Sequence, residues 1–190
     1  AACADGQDTD SPRDLTQDEI AYELEVLEQM IEDGSIEIPR LDEFTSNEDD
    51  GATPASYTRV RLRHAATGKC IYGNATENGQ IHNWGCWNDP NMVYRVYTVG
   101  STGQYRFLVH EATLKYIEGS SVNGAALTNR SGANPYAPLI YQFDDAGSGA
   151  VRLRHNSSGK CIYGTNTNGG TVHSWTCWND PNMRYYLDPV

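Results

Sequence analysis

Apolar positions recur along the chain in two rhythms. Between Thr16 and Gly34, the residues Ile20, Leu24, Leu27 and Ile31 fall on one face at helical spacing. Thr16 and Glu19 form a capping box at one end. Gly34 can close the other end in a left-handed conformation. The pattern predicts a helix over about residues 17–33. From Tyr57 the period drops to two. Val60, Leu62 and His64 alternate with Arg61 and Arg63, as in a half-buried strand. CIYG, QIHNWGCW and MVYRVYTV follow as further strands, separated by turn-forming TGK, NATENG and NDPN.

This strand pattern is used again. Residues 60–92 (VRLRHAATGKCIYGNATENGQIHNWGCWNDPNM) match residues 151–183 (VRLRHNSSGKCIYGTNTNGGTVHSWTCWNDPNM) at an ungapped offset of 91. That offset is twice the length of one four-strand unit, which places a third copy between the two. Residues 105–143 supply it in weakened form. His110, Thr113, Lys115, Ile117 and Gly119 answer to His64, Thr67, Lys69, Ile71 and Gly73. Tyr116 and Gly132 stand at the cysteine positions and Arg130 near that of Trp84. The pattern predicts an all-β domain over residues 57–190. Its three units of about 45 residues run over about 57–100, 101–147 and 148–190, and together they close one core.

Charge separates this domain from what precedes it. Residues 1–56 hold 17 Asp/Glu against Arg13 and Arg40, a net −15, whereas residues 57–190 are net +4. The acidic extension reads as a disordered tether over residues 4–14, the helix, and a linker over residues 45–56. Nucleic acid is not an expected partner, because phosphate binding needs a dense Lys/Arg footprint. No run of 18 apolar residues spans a membrane. The extension is a candidate for contacting a protein partner.

Five cysteines refine the picture. Cys70 and Cys86, like Cys161 and Cys177, are 16 apart and occupy equivalent places in the two copies. One disulfide within each copy is expected, and with it an oxidising, extracytoplasmic compartment. No close cysteine pair suggests a metal site, and no cofactor is expected. Cys3 is left over. Ala-Ala-Cys at the start resembles the end of a bacterial lipobox, which would make Cys3 a lipidation site; the alternative is a free or intermolecularly paired thiol.

The repeated motifs GKCIY, IHNWGC with NMVY, and VHSWTC with NMRY resemble the units of ricin-type lectin domains, which are β-trefoils. The VRLRHxxTGK opening is also similar to MIR-type trefoil units. The ricin-type resemblance implies a shallow sugar pocket on each competent unit, floored by an aromatic ring and walled by a carboxylate and amides. It implies Trp84 and Trp175 as stacking rings, Asn91 and Asn182 as the amides, and His82 and His173 as the polar residues before the ring. Tyr72 and Tyr163 stand where that family has its sugar-fixing Asp, and Met92 and Met183 where it has a Gln. The middle unit lacks the Trp and is expected to be silent.

The residues add candidates and alternatives. Trp84 and Trp175 can equally be core. Trp87 and Trp178 follow the second cysteine, and strand alternation would send them to the opposite, more exposed face. The NDPN segments read as turns; they also place Asp89 and Asp180 where a loop carboxylate could replace the missing one. His64, His110 and His155 read as structural. Arg61, Arg63, Arg152 and Arg154 form a repeated basic edge able to meet an acidic segment or an anionic glycan. Sequons stand at Asn74, Asn129 and Asn156. No GxSxG, HExxH or phosphate-cradling loop occurs, so an enzyme is not expected. Two functions follow: a secreted or surface-tethered module for glycans or a glycoprotein, or a protein-interaction subunit of a bacterial toxin or surface complex. Toxin delivery subunits of the cytolethal distending type resemble the second plan.

Overall fold

Alternation decides which side of each strand faces inward. In β1 (Tyr57–His64) the side chains of Val60, Leu62 and His64 are buried, while Arg61 and Arg63 between them are half-buried. The computed structural model describes residues 57–99, 105–131 and 139–190. The tether, predicted helix and linker of residues 1–56, Cys3, and Gly132 lie outside the described residues.

The described residues form fifteen strands in three successive groups of five. The first group is β1, β2 (Lys69–Tyr72), β3 (Gly79–Gln80), β4 (His82–Gly85) and β5 (Val93–Val99). The second is β6 (Tyr105–His110), β7 (Lys115–Glu118), β8 (Ala125–Ala126), β9 (Thr128–Arg130) and β10 (Ile140–Asp145). The third is β11 (Val151–His155), β12 (Lys160–Tyr163), β13 (Gly170–Thr171), β14 (His173–Thr176) and β15 (Tyr185–Pro189). First and last strands of the groups pair antiparallel in a closed ring, β1–β5–β6–β10–β11–β15–β1. Closure leaves this barrel without an exposed edge. The hairpins β2/β4, β7/β9 and β12/β14 cover one end. A six-stranded barrel under three hairpins is a β-trefoil.

QIHNWGCW was expected as one strand, and it is broken at Ile81. The peptide there leaves its own ladder and turns to the axis. The Ile81 N–H donates to the Leu127 carbonyl (3.0 Å), Leu127 to Val172 (2.9 Å) and Val172 to Ile81 (2.9 Å). These three side chains are fully buried. Short cross-group pairs surround this ring: β3 with β9, β8 with β14 and β13 with β4. Each hairpin therefore borrows backbone partners from the next group, and none completes its bonding alone.

The three repeated histidines stitch the groups a second time. His64, His110 and His155 are buried, and each Nδ1 meets a hydroxyl three residues on: Thr67 at 2.7 Å, Thr113 at 2.7 Å and Ser158 at 2.6 Å. Each ring lies over a glycine of the preceding group. A β-carbon on Gly73 would stand 2.6 Å from the His110 ring, one on Gly119 2.6 Å from His155, and one on Gly164 3.0 Å from His64. A buried tyrosine closes each site, with ring centroids 5.4–5.6 Å apart (Tyr185–His64, Tyr94–His110, Tyr141–His155). A side chain would collide with the imidazole at Gly73 and Gly119, and with Asn83 and the Tyr185 hydroxyl at Gly164.

Burial holds the His64 and His110 imidazoles neutral. Desolvation lowers His64 and pushes His110 down to about 4. On unfolding each returns to its ordinary value of 6.5 and binds a proton that the folded state refuses. The stability is present above pH 6.5 and is lost as pH falls toward about 4. Denaturation midpoints are therefore expected to drop from about pH 7 to pH 4.5, with a slope of up to about 1.4 kcal/mol per pH unit per histidine. His110→Gln is expected to flatten that slope in urea titrations; an unchanged slope would refute the role.

Candidate functional site

The β2/β4 hairpin of the first group sets Tyr72 opposite His82 and Cys70 opposite Trp84. In the third group β12/β14 sets Tyr163 opposite His173 and Cys161 opposite Trp175. The disulfides Cys70–Cys86 and Cys161–Cys177 both form, with Cα atoms 5.0 Å apart. Each anchors the chain between its two tryptophans to the strand beneath. The next residues turn sharply. Asp89 and Asp180 cap single 3-10 turns, Pro90–Met92 and Pro181–Met183, whose methionines are buried. Asp, then Pro at the first position, then an apolar anchor is sufficient for that geometry.

The capping carboxylate also fixes a ring. Asp89 Oδ1 accepts the Asn91 backbone N–H (2.8 Å) and side-chain amide (2.9 Å), while Oδ2 accepts the Trp87 indole N–H (3.1 Å). The Asn91 backbone N–H, with smaller help from its amide and the Trp87 indole, lowers the Asp89 carboxyl below its ordinary range. In the third group Asp180 Oδ1 accepts the Asn182 N–H (2.7 Å) and Oδ2 the Trp178 indole N–H (3.1 Å). There the Asn182 amide donates instead to the Tyr163 hydroxyl (3.1 Å).

Two aromatic clusters result. Trp87 lies 6.1 Å from Tyr72, tilted by 35°, and meets Trp84 edge-on at 6.4 Å. Trp178 lies 6.0 Å from Tyr163, tilted by 33°, and meets Trp175 edge-on at 6.4 Å. Trp84, Trp87 and Trp178 are 38%, 46% and 43% exposed; Trp175 is half-buried. Three large rings with open faces in this small domain need an explanation, because soluble proteins rarely leave clustered apolar surface uncovered. His82 and His173 sit half-buried beside the tyrosines, and desolvation lowers His173.

Several expectations change. Core placement for Trp84 does not hold. Trp87 and Trp178 are exposed, but not through strand alternation: β4 ends at Gly85 and β14 at Thr176, so the capping loops aim these rings. Two of the four arginines of the basic edge meet carboxylates and a third meets a side-chain amide. Arg63 pairs with Asp188, Arg154 with Asp144 (2.7 Å), and Arg61 donates to Asn88 (3.0 Å). The sequons at Asn129 and Asn156 are buried, with amides bonded to Asn74 and Gln142. In the second group Glu118 and Arg130 replace the Tyr and Trp and pair at 2.6 Å.

Sequence reasoning missed a contribution from neighbouring groups. Trp84 rests its Cζ2 3.1 Å from where a Gly169 β-carbon would stand, and Trp175 rests 3.3 Å from that of Gly124. Both glycines have positive φ, at 72° and 76°. The only trace in the chain is an Asn-Gly step in each turn, which reads as an ordinary hairpin signal.

No family model matches the chain, and no curated protein matches it. Solved structures do. ThreeFoil, a designed three-fold symmetric protein, superposes with a TM-score of 0.65 at 18% identity, covering 70% of this chain and 99% of its own. The Macrolepiota procera ricin B-like lectin, solved in complex with lactose, gives 0.59 at 19% identity, covering 73% and 100%. A mosquitocidal holotoxin gives 0.64 at 7% identity, covering 71% of this chain and 17% of its own. At these identities the likeness establishes the β-trefoil fold.

Removing the cap tests the build of the cluster. Asp89→Ala is expected to cost about 1 kcal/mol of stability. It is also expected to release Trp87, seen as a shifted indole N–H resonance with the Trp178 resonance unmoved. An unmoved Trp87 signal would show that the loop, not the carboxylate, holds the ring.

Proposed function

We propose that the chain is a carbohydrate-binding, lectin-like module of an extracytoplasmic compartment and not an enzyme, with sites at Tyr72–Trp84–Trp87 and Tyr163–Trp175–Trp178. The observation that carries the reading is the pair of open tryptophan clusters, built alike in units one and three and replaced by an ion pair in unit two. A pyranose presents an apolar C–H face that stacks on such a ring. Asp89, Asp180, Asn91, Asn182, His82 and His173 then offer polar atoms at the margin for sugar hydroxyls. The Oδ2 of each aspartate, which accepts one indole N–H, keeps further lone-pair capacity for a hydroxyl.

The units run over about 57–100, 101–147 and 148–190. Two disulfides suit secretion. A lipid on Cys3 would tether the module, with residues 1–56 as the spacer. Two shallow sites of about millimolar strength gain by avidity on a dense glycan. Glycan-array binding is expected for the intact protein. Trp87→Ala and Trp178→Ala should each weaken it several-fold, and the double variant should abolish it. A folded protein that binds no glycan would sink the proposal.

One observation favours a second reading, that of a protein-interaction subunit of a bacterial toxin or surface complex. The position of the ricin-type family's sugar-fixing Asp holds Tyr72 and Tyr163, and both loop aspartates already serve their own turns. Open aromatic rings are also what protein interfaces use as anchors. In that case a partner co-purifies with the full chain and is lost on deleting residues 1–56. Retention of the partner by the deleted chain would argue against the extension as the contact.

A further inference from the structure

Five arginines project from one outer face of the barrel. Arg61 and Arg63 stand on β1, Arg152 and Arg154 on β11, and Arg184 directly before β15, which lies between those two strands. Alternation turns them outward, because their neighbours Leu62, His64, Leu153, His155 and Tyr185 are buried. The Val151–Tyr185 pair sets β11 beside β15, and Arg152 and Arg184 are the next residues along it.

Two carboxylates answer this charge, and each is already taken. Arg63 donates through two nitrogens to Asp188, and Arg154 through two to Asp144. The other three arginines meet no carboxylate within ion-pair distance among the described residues. Arg61 and Arg184 reach neutral amides, Asn88 at 3.0 Å and Asn179 at 2.5 Å. The buried Nε atoms of Arg61 and Arg152 have no hydrogen-bond partner among the described residues. The loop carboxylates Asp89 and Asp180 bond within their own turns. All three arginines are half-buried, so solvent screens their charge less than that of a fully exposed side chain.

The chain carries a matching segment close to this face. Residues 42–50 hold Asp42, Glu43, Glu48, Asp49 and Asp50 and no Lys or Arg. They precede Tyr57, the first residue of β1. Chain lengths fit: the seven residues from Asp50 to Tyr57 span up to about 23 Å, and the fifteen from Asp42 up to about 50 Å. Arg61 lies four residues along β1 from Tyr57, about 13 Å. Ala65, whose N–H donates to the Arg184 carbonyl, lies eight residues along, about 26 Å.

We propose that residues 42–50 fold back over this face as an acidic strap, with their carboxylates paired to Arg61, Arg152 and Arg184. A lone surface pair contributes little. Here several carboxylates meet three half-buried guanidiniums at the effective concentration of a short tether. The extension then leaves the domain along β1 and β15, held by the domain it precedes.

The test reads the arginine Nε–H resonances of the full chain. The variant carrying Asp42→Asn, Glu43→Gln, Glu48→Gln, Asp49→Asn and Asp50→Asn alters no residue of the barrel. In it the Arg61, Arg152 and Arg184 signals are expected to shift and to exchange with water several-fold faster. The Arg63 and Arg154 signals, held by Asp188 and Asp144, are expected to stay in place. Salt at about 1 M, where screening acts within about 3 Å, should move the same three signals in the unsubstituted chain. Unmoved Arg61, Arg152 and Arg184 signals in the variant overturn the proposal. A difference that disappears on dilution makes the occupant a second copy of the chain and overturns the folding back. No sugar enters the experiment, so the glycan reading is tested apart from it.

Discussion

Three backbone hydrogen bonds, from Ile81 to Leu127, from Leu127 to Val172 and from Val172 to Ile81, form the ring on which the rest of the molecule depends. Each links two different units, so the ring exists only when all three have arrived. No single unit can satisfy its own buried peptide groups, and an unpaired buried amide costs about as much as a lost hydrogen bond. The histidine–glycine contacts repeat the same cyclic logic one layer out: Gly73 under His110, Gly119 under His155, Gly164 under His64. Cooperativity is thus built into the topology.

That interlock shapes the candidate sites. A hairpin that borrows backbone partners from its neighbour also lays its turn against the neighbour's aromatic strand. Trp84 is supported from unit three and Trp175 from unit two. Within each cluster the disulfide and the capping aspartate act on successive residues, holding first the strand end and then the indole. The aromatic surface is therefore organised in advance, and a ligand would not have to meet the entropy of ordering it. In unit two the same scaffold carries charge in place of rings, with Lys115 and Ser131 held by Glu77 of unit one. Their hydrogen bonds, Ser131 foremost, pull the Glu77 carboxyl down to about 2.

Much of the fold was legible in the chain. The 91-residue repeat, the alternating Val60–Leu62–His64 pattern and the drifted copy around His110 were enough to reach a closed all-β domain of three units. The equivalent cysteines led to the two disulfides. The site was legible only as an inventory. Tyr72, Trp84, Trp87, Asp89 and Asn91 were candidates, but alternation gave the wrong reason for the exposure of Trp87, since that residue lies beyond the strand. The split at Ile81 was hidden because its N–H partner belongs to another unit.

The sequence by itself determined what is local: periodicity, turn chemistry, the Asp-Pro cap and the pairing of cysteines 16 apart. These depend on residues within one unit, and spacing records them. Only the tertiary structure decided how far Trp84 and Trp175 are exposed, and that Gly169 and Gly124 support tryptophans in units other than their own. The glycine contacts join residues 85 and 51 positions apart, in different units, through a closed ring. Their geometry is set by ring closure, which no window of neighbouring residues encodes.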